Sequence, residues 1–269
     1  MNRKMLVSQS VRLLVLLILV AACGQQESSP PPTATMSEAA DACGLVFISD
    51  SSGRVAAGTY ANIVESDLGV DVALDEFTIS ELSARSVANY LRDPEALDYN
   101  LRLKTLNLAE RLSEAEVIVF YGNPRSEDAG DWSCVEEPFY VVDCSPQTFD
   151  AYREDLRTIY EHIFQLRGDS PIIVRAFDAY NPLYSAYRER GVFDECLQCW
   201  ENYNEAIHQV AAEYGVPVAP VFDTFNGSDH SEDPREKGYI SSDGQHTSGE
   251  GARVIAGLLR DLGYEPTRP

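Results

Sequence analysis

The sequence has 269 residues, of which 24% are charged, and its formal net charge is -22 at pH 7. A strongly negative protein repels phosphate backbones and anionic lipid headgroups, which argues against nucleic acid as a partner. The same charge also suits the solubility of an exported protein, so it does not indicate a particular substrate.

The first 22 residues have the pattern of an export signal. Three cations, Arg3, Lys4 and Arg12, precede an apolar run over residues 13–22 that is too short to span a membrane. The run ends in Val-Ala-Ala followed by Cys23, which resembles the lipobox of bacterial lipoproteins. We therefore predict a signal peptide over residues 1–22 and lipidation of Cys23. The alternative is an ordinary secretory cleavage site with an incidental cysteine.

Residues 23–40 contain many small and polar side chains and three consecutive prolines. Such a composition cannot bury a core, so we predict a lipid-attached flexible tether. No second break of this kind follows, and residues 41–269 suit one α/β domain. The predicted protein is exported and held by lipid on the outer side of the cytoplasmic membrane, at the cell surface or in the periplasm.

Short apolar runs then alternate with longer segments of helical periodicity. Strands are predicted at residues 44–49, 70–79, 117–121, 172–176 and 216–222, and helices at residues 55–68, 80–92, 94–112, 147–166, 195–214 and 248–262. This alternation indicates a mostly parallel sheet with helices on both faces. Functional residues are then expected beyond the carboxyl ends of the strands.

Five cysteines follow the lipobox, and export would place them where disulfides can form. Cys134 and Cys144 bracket a long loop, which a disulfide between them would staple. Cys196 and Cys199 form a Cys-x-x-Cys motif, for which a structural disulfide is favoured over a redox dithiol or half of a metal site. No second pair or histidine cluster completes a metal site. Because five is odd, one thiol is expected outside the disulfides, with Cys43 as the candidate.

His246 is the best candidate for a catalytic base among the four histidines of the chain. His162 and His208 fall within predicted helices, and His230 falls within a polar loop where simple exposure is expected. Asp243 precedes His246 by three residues, so a single turn can direct the carboxylate to one imidazole nitrogen and leave the other as the proton acceptor. This spacing is common by chance and does not establish a site alone.

Ser51 is the candidate nucleophile, because it lies in the tight turn between the first predicted strand, which ends at residue 49, and the helix predicted from residue 55. Such a turn presents the hydroxyl above the sheet, next to the N–H groups of a helix N-terminus. Capping is the alternative, since Asp50, Ser51 and Ser52 are all good N-cap residues. Asn123 follows the third strand, where its side-chain N–H can hold an oxyanion or can serve an ordinary turn.

Together these segments resemble the SGNH (GDSL-type) hydrolase family in order and spacing, over about residues 44–263. The first block is residues 48–51, the third is residues 120–124, and the most specific is residues 243–246. The resemblance implies a flavodoxin-like three-layer α/β/α fold and hydrolysis of ester or acyl bonds, with no cofactor or metal. It implies Ser51 as nucleophile, His246 as general base, Asp243 as its orienting acid, and an oxyanion hole formed by the backbone N–H groups of Ser51 and Ala84 and by the Asn123 side chain.

The sequence departs from the family pattern at three places. Ser49 replaces the usual glycine of the first block, and Pro124 stands where the third block has an aspartate after Asn123. The glycine of the second block is missing near residues 83–86, where Ala84 is the candidate for the backbone donor. These changes bear on rate and substrate more than on fold.

Three alternatives remain open on the sequence alone. The protein could be a catalytically weak, glycan-binding surface lipoprotein on the same fold, or a redox protein that uses its Cys-x-x-Cys motif. An esterase could also act on O-acetyl groups of a polysaccharide instead of lipid or simple esters. Aromatic residues that could stack on sugar rings are Tyr180, Tyr184, Tyr187 and Trp200, although packing is their commoner use. The sequence specifies neither the natural ester nor the oligomeric state.

Overall fold

The computed structural model describes residues 42–80, 82–95, 101–124, 134 and 144–267. The predicted signal peptide (residues 1–22), the predicted lipidation site Cys23 and the predicted tether (residues 23–40) lie outside the described residues and stay predictions. Within the described residues, no helix has the length and apolar content that are needed to cross a membrane.

In the described part of the chain, one parallel sheet is built from β1 (Cys43–Ser49), β2 (Val72–Thr78), β3 (Val117–Phe120), β4 (Ile173–Phe177) and β5 (Val218–Ala219). The strands lie in the order β2-β1-β3-β4-β5. This is the order of flavodoxin-like folds, in which a crevice opens between the carboxyl ends of β1 and β3. Residues that follow these two strands are therefore placed side by side.

Helices cover both faces of the sheet. They are α1 (Arg54–Leu68), α2 (Ala84–Arg92), α3 (Leu101–Thr105), α4 (Leu108–Glu114), α5 (Pro146–Arg167), α6 (Tyr184–Arg190), α7 (Phe193–Glu213), α8 (Val221–Asn226) and α9 (Gly249–Asp261). Helices α1 and α9 pack together on one face, and α5 packs against α2, α4 and α7 on the other. The predicted three-layer, flavodoxin-like α/β/α fold is confirmed.

Two predicted elements differ from the structure. In place of one helix over residues 94–112, the structure has the short helices α3 and α4, because Asn107 between them adopts a left-handed φ of 56°. The predicted strand over residues 216–222 is shortened to the two residues of β5. Pro217 and Pro220 flank β5, and proline has no N–H to donate to a neighbouring strand.

Arg175 of β4 is a buried cation that fixes the C-terminal segment of the domain. Only 1% of this residue is exposed, and its guanidinium donates to the carbonyls of Val174, Gly263 and Glu265, each at 2.9 Å. It also donates to Oγ1 of Thr267 at 3.1 Å. Residues 263–267 are thus held against β4 by the Arg175 guanidinium and by Thr267, whose N–H donates to the carbonyl of Ile172 at 2.7 Å and whose hydroxyl donates to the carbonyl of Val174 at 2.9 Å.

Two disulfides join the chain between β3 and α5 to helix α7. They are Cys134–Cys196 and Cys144–Cys199. A staple between Cys134 and Cys144 is therefore wrong, and the Cys-x-x-Cys motif is used in two separate structural disulfides instead of a redox or metal pair. Cys43 is buried in β1 and takes part in neither disulfide. Because disulfides persist in oxidising compartments, this pairing indicates an extracellular or periplasmic protein.

Candidate active site

The turn after β1 carries the candidate nucleophile. Asp50 caps a 3₁₀ helix, Ser51–Gly53, because its carboxylate accepts the backbone N–H of Ser52 at 2.8 Å. Asp50, and not Ser51, therefore fills the capping role that the sequence left open. The hydroxyl of Ser51 is directed elsewhere, to His246.

Three side chains meet at the carboxyl edge of the sheet. Oγ of Ser51 lies 2.8 Å from Nε2 of His246, and Nδ1 of His246 lies 2.9 Å from Oδ2 of Asp243. When Nδ1 donates its proton to the carboxylate, Nε2 is left to accept the proton of the serine. The structure thus brings together the three residues that the sequence selected, and their catalytic roles stay predictions.

The turn that carries His246 is shaped by Asp243. Oδ1 of Asp243 accepts the backbone N–H groups of Gln245 at 2.8 Å and His246 at 2.9 Å, and Gly244, between Asp243 and Gln245, has a φ of 76°. Burial raises the pKa of Asp243, but hydrogen bonds to its ionised form, led by those from Gln245 and His246, outweigh burial and hold the pKa well below its ordinary value. A negative charge is therefore maintained beside the imidazole.

Asn123 follows β3 and lies next to the turn after β1. Its buried side chain places Nδ2 3.4 Å from Oδ2 of Asp50. The amide carries a second N–H, which is available to a substrate oxygen. The carbonyl of Gly122 accepts the hydroxyl groups of Tyr152 at 2.7 Å and Tyr203 at 3.1 Å, so the backbone before Asn123 is held by two buried tyrosines.

Several solved structures of lipases and esterases are similar to this chain. A lipase from a goat rumen metagenome matches with a TM-score of 0.59 and 19% identity, over 82% of this chain and 98% of the lipase. An acetyl xylan esterase from Geobacillus stearothermophilus matches with a TM-score of 0.54 and 14% identity, over 85% and 99%. A lipase/acylhydrolase from Enterococcus faecalis matches with a TM-score of 0.50 and 16% identity, over 84% and 97%. No protein-family model and no curated protein matches the sequence.

The architecture follows from three observations. The strands have the flavodoxin-like order, helices cover both faces of the sheet, and the similarity extends over nearly the whole length of these enzymes. The chain has the SGNH hydrolase fold. At identities of 14–19%, this likeness concerns the fold, and the activity is a separate inference.

The SGNH fold accommodates Ser49, which replaces the usual glycine of the first block. Ser49 is fully buried, and its hydroxyl donates to the carbonyl of Asp50 at 2.8 Å. Gly53 provides the space, because a Cβ added there would lie 2.2 Å from Oγ of Ser49. The two positions therefore compensate each other, with the larger residue at 49 and the glycine at 53.

In the second block, the structure contradicts the choice of the Ala84 backbone N–H as an oxyanion donor. The N–H of Ala84 donates to the carbonyl of Asn123 at 2.9 Å, so it is not directed at a substrate oxygen. Ala84 also packs against Gly122, where an added Cβ would lie 3.0 Å from the Cβ of Ala84. The N–H of Ser83 has no acceptor within the described residues, and Ser83 replaces Ala84 as the candidate donor.

Two further histidines have acidic partners of their own. His208 lies 2.8 Å from the buried Asp178, and His230 lies 2.9 Å from Asp223. The ring of His230 also stacks on Phe222 with centroids 3.9 Å apart. The prediction of simple exposure for His230 is therefore wrong.

The aromatic residues considered for sugar stacking are mostly buried. Tyr180, Tyr187 and Trp200 are at most 6% exposed, so their ring faces pack within the protein, and Tyr184 is partly exposed. Sequence reasoning missed that the hydroxyl of Tyr180 donates to the carbonyl of Gln245 at 2.9 Å. No local signal could have found this contact, because it joins distant parts of the chain.

Proposed function

We propose that this chain is a serine hydrolase that cleaves carboxylic esters through an acyl-enzyme on Ser51. The observation that carries the proposal is the pair of contacts that link Ser51 to His246 at 2.8 Å and His246 to Asp243 at 2.9 Å. The fold likeness to a lipase and to acetyl xylan esterases supports an ester as the substrate, either a small molecule or an acylated glycan.

In the first step, Nε2 of His246 takes the proton of Ser51 while Oγ attacks the ester carbonyl carbon. The carbonyl π electrons move to its oxygen, and a tetrahedral oxyanion forms. Asp243 keeps the imidazole in the required tautomer and stabilises the imidazolium that results. The intermediate collapses as His246 protonates the leaving alcohol, and water then attacks the acyl-enzyme by the same route.

The proposed oxyanion donors are the backbone N–H groups of Ser51 and Ser83 and the Nδ2 of Asn123. The two backbone groups have no acceptor within the described residues, and the buried Asn123 has one amide hydrogen beyond the one that faces Asp50. Donors held in place before the reaction stabilise developing charge without reorganising. This set keeps three donors although the second block lacks its glycine.

A fluorophosphonate probe distinguishes this proposal from glycan binding without catalysis. The probe forms a bond with an activated serine hydroxyl, so we expect one adduct, on the peptide that contains Ser51. A binding protein on the same fold would remain unlabelled. Turnover of p-nitrophenyl esters of increasing chain length would then separate an acetylesterase from a lipase.

The lipobox sequence supports the further proposal that Cys23 carries the membrane anchor. The enzyme would then act on the outer side of the cytoplasmic membrane while the tether gives its site reach. Labelling with a radioactive fatty acid tests the anchor, and a Cys23→Ala variant that still takes up the label would contradict it.

Replacement of Asp243 with asparagine is expected to lower kcat by about three to four orders of magnitude, because the amide favours the wrong imidazole tautomer. The same substitution should also change how the free energy of unfolding depends on pH.

The pKa of Asp243 is lower in the folded protein than in the unfolded chain. The carboxylate therefore stabilises the fold above the unfolded pKa of about 3.9, and this contribution is lost as pH falls through the folded pKa. Urea unfolding of both proteins from pH 7 to pH 3 should therefore show a stability difference that shrinks below about pH 4.

Asp169, exposed in the turn after α5, provides the matched control for this variant. Asp169→Asn should leave kcat unchanged. An Asp243→Asn enzyme with the wild-type kcat would contradict the orienting role of this carboxylate.

Replacement of Asn123 with alanine is expected to lower kcat by about 100- to 1,000-fold, the effect of losing one oxyanion donor. KM should change little, because the bond strengthens as the oxyanion forms. Steady-state kinetics on p-nitrophenyl acetate measure both constants. Asn62→Ala, at an exposed position of α1, is the control, and equal rates for the two variants would rule out the proposed donor.

A further inference from the structure

Two hydroxyl groups hold the backbone on either side of His246. Oγ1 of Thr247 donates to the carbonyl of Ser52 at 2.9 Å, and the hydroxyl of Tyr180 donates to the carbonyl of Gln245 at 2.9 Å. The first bond joins the residue after the candidate base to the residue after the candidate nucleophile. The second ties the other flank of His246 to the segment that follows β4.

These bonds differ in kind from the contacts that shape the turn itself. Asp243 bonds to His246 within four residues of chain, so both can move together without disturbing their contact. The contact between His246 and Ser51, in contrast, crosses between two separate segments. A displacement of the turn as a unit would therefore preserve the bond from Asp243 and lengthen the distance to Ser51.

Both hydroxyl groups are well placed to prevent that displacement. Thr247 is 7% exposed and Tyr180 is 6% exposed, so water competes little for their hydrogen bonds. The ring of Tyr180 stacks on Phe225 at 4.9 Å, and Phe225 contacts Tyr239 at 4.9 Å. The carbonyl of Tyr239 in turn accepts the N–H of Ser248, the N-cap of α9. Tyr180 is therefore itself held in place by packing against neighbouring aromatic rings.

We propose that Thr247 and Tyr180 are positioning residues that hold Nε2 of His246 at bonding distance from Ser51. The inference rests on the proposed function, since it assigns these hydroxyl groups to the proton transfer between the two side chains. A misplacement of about 1 Å can cost roughly 100-fold in rate. Removal of either hydroxyl group is expected to cost about 10-fold in kcat, with KM nearly unchanged.

Substitutions that remove a hydroxyl and keep the shape test the proposal. Thr247→Val and Tyr180→Phe should each lower kcat on p-nitrophenyl acetate and the rate of fluorophosphonate labelling, whereas Thr247→Ser keeps the donor and should recover most of the activity. Thr224→Val is the matched control, because Oγ1 of Thr224 makes a similar bond to the carbonyl of Pro220 at 2.8 Å, in α8. It should leave kcat unchanged even where it lowers stability in urea.

The outcomes separate the two proposals when Ser51→Ala is measured in parallel. An inactive Ser51→Ala variant combined with wild-type kcat in Thr247→Val and Tyr180→Phe overturns the positioning role and leaves the hydrolase proposal standing. Equal losses of kcat in Thr224→Val and Thr247→Val also overturn it, because the effect would then follow stability alone. An active Ser51→Ala variant overturns the hydrolase proposal itself. Tyr180→Phe decides the question if Thr247→Val does not fold.

Discussion

Replacement of Ser51 with alanine is expected to lower kcat on p-nitrophenyl acetate by about four to six orders of magnitude. The methyl group has no lone pair with which to attack the carbonyl, so His246 has no nucleophile to activate. Residual turnover should be close to that of water acting in the same pocket. Labelling by the fluorophosphonate should disappear together with turnover, since both need the same oxygen.

The control for this variant is Ser113→Ala, in which a serine of α4 loses a hydrogen bond to the carbonyl of Glu110. It should retain full activity and full labelling. Thermal unfolding of Ser51→Ala should match that of the wild type closely, because the hydroxyl contributes one partly exposed bond. Undiminished turnover in Ser51→Ala would show that the contact with His246 has no part in catalysis.

Replacement of Arg175 with methionine is expected to lower the free energy of unfolding by about 3–5 kcal/mol. Methionine fills a similar volume but cannot donate, so the partly buried carbonyls of Gly263 and Glu265 lose these bonds, while the carbonyl of Val174 keeps the one from Thr267. Each unsatisfied buried acceptor costs about 1–3 kcal/mol, and release of residues 263–267 to water recovers part of this. Urea unfolding at pH 7 measures the difference.

Arg253→Met in α9 is the matched control, because 63% of the Arg253 side chain is exposed. Its effect should lie within about 0.5 kcal/mol, as for most surface substitutions. At urea concentrations below its unfolding midpoint, the Arg175→Met enzyme should keep the wild-type kcat. The guanidinium contacts β4 and the C-terminal segment and does not contact Ser51, His246 or Asp243. A stability loss no larger than that of Arg253→Met would mean that the contacts of Thr267 hold residues 263–267 without Arg175.

The sheet and its long helices could be predicted because their apolar residues repeat with the periods of strands and helices. Buried strands such as β3 are uniformly apolar, and Ser248 marks the start of α9 by its capping side chain. The predicted elements that differ from the structure lie where the backbone conformation of single residues overrides the apolar periodicity. Asn107 interrupts a helical pattern with a positive φ, and prolines shorten β5 by removing N–H donors.

Part of the candidate site could be predicted from two features of the sequence: polar residues just after strands, and the spacing of three residues between Asp243 and His246. Ser51, Asn123 and the turn at residues 243–246 come from those rules, together with the family resemblance. The backbone donor could not be chosen between Ser83 and Ala84, because the choice depends on which N–H the carbonyl of Asn123 accepts. Contacts across the fold, such as that from Tyr180, leave no trace in the local sequence.

The pairing of the four cysteines has a consequence for biosynthesis. Cys134 and Cys144 are ten residues apart and are synthesised well before Cys196 and Cys199, so we expect oxidation of the emerging chain to favour a non-native bond between them. Four thiols can pair in three ways, and the native arrangement joins partners separated by 62 and 55 residues. We therefore expect maturation to require thiol–disulfide exchange. A recombinant host that supplies a disulfide isomerase should give correctly bonded protein, and one that only oxidises should accumulate scrambled isomers.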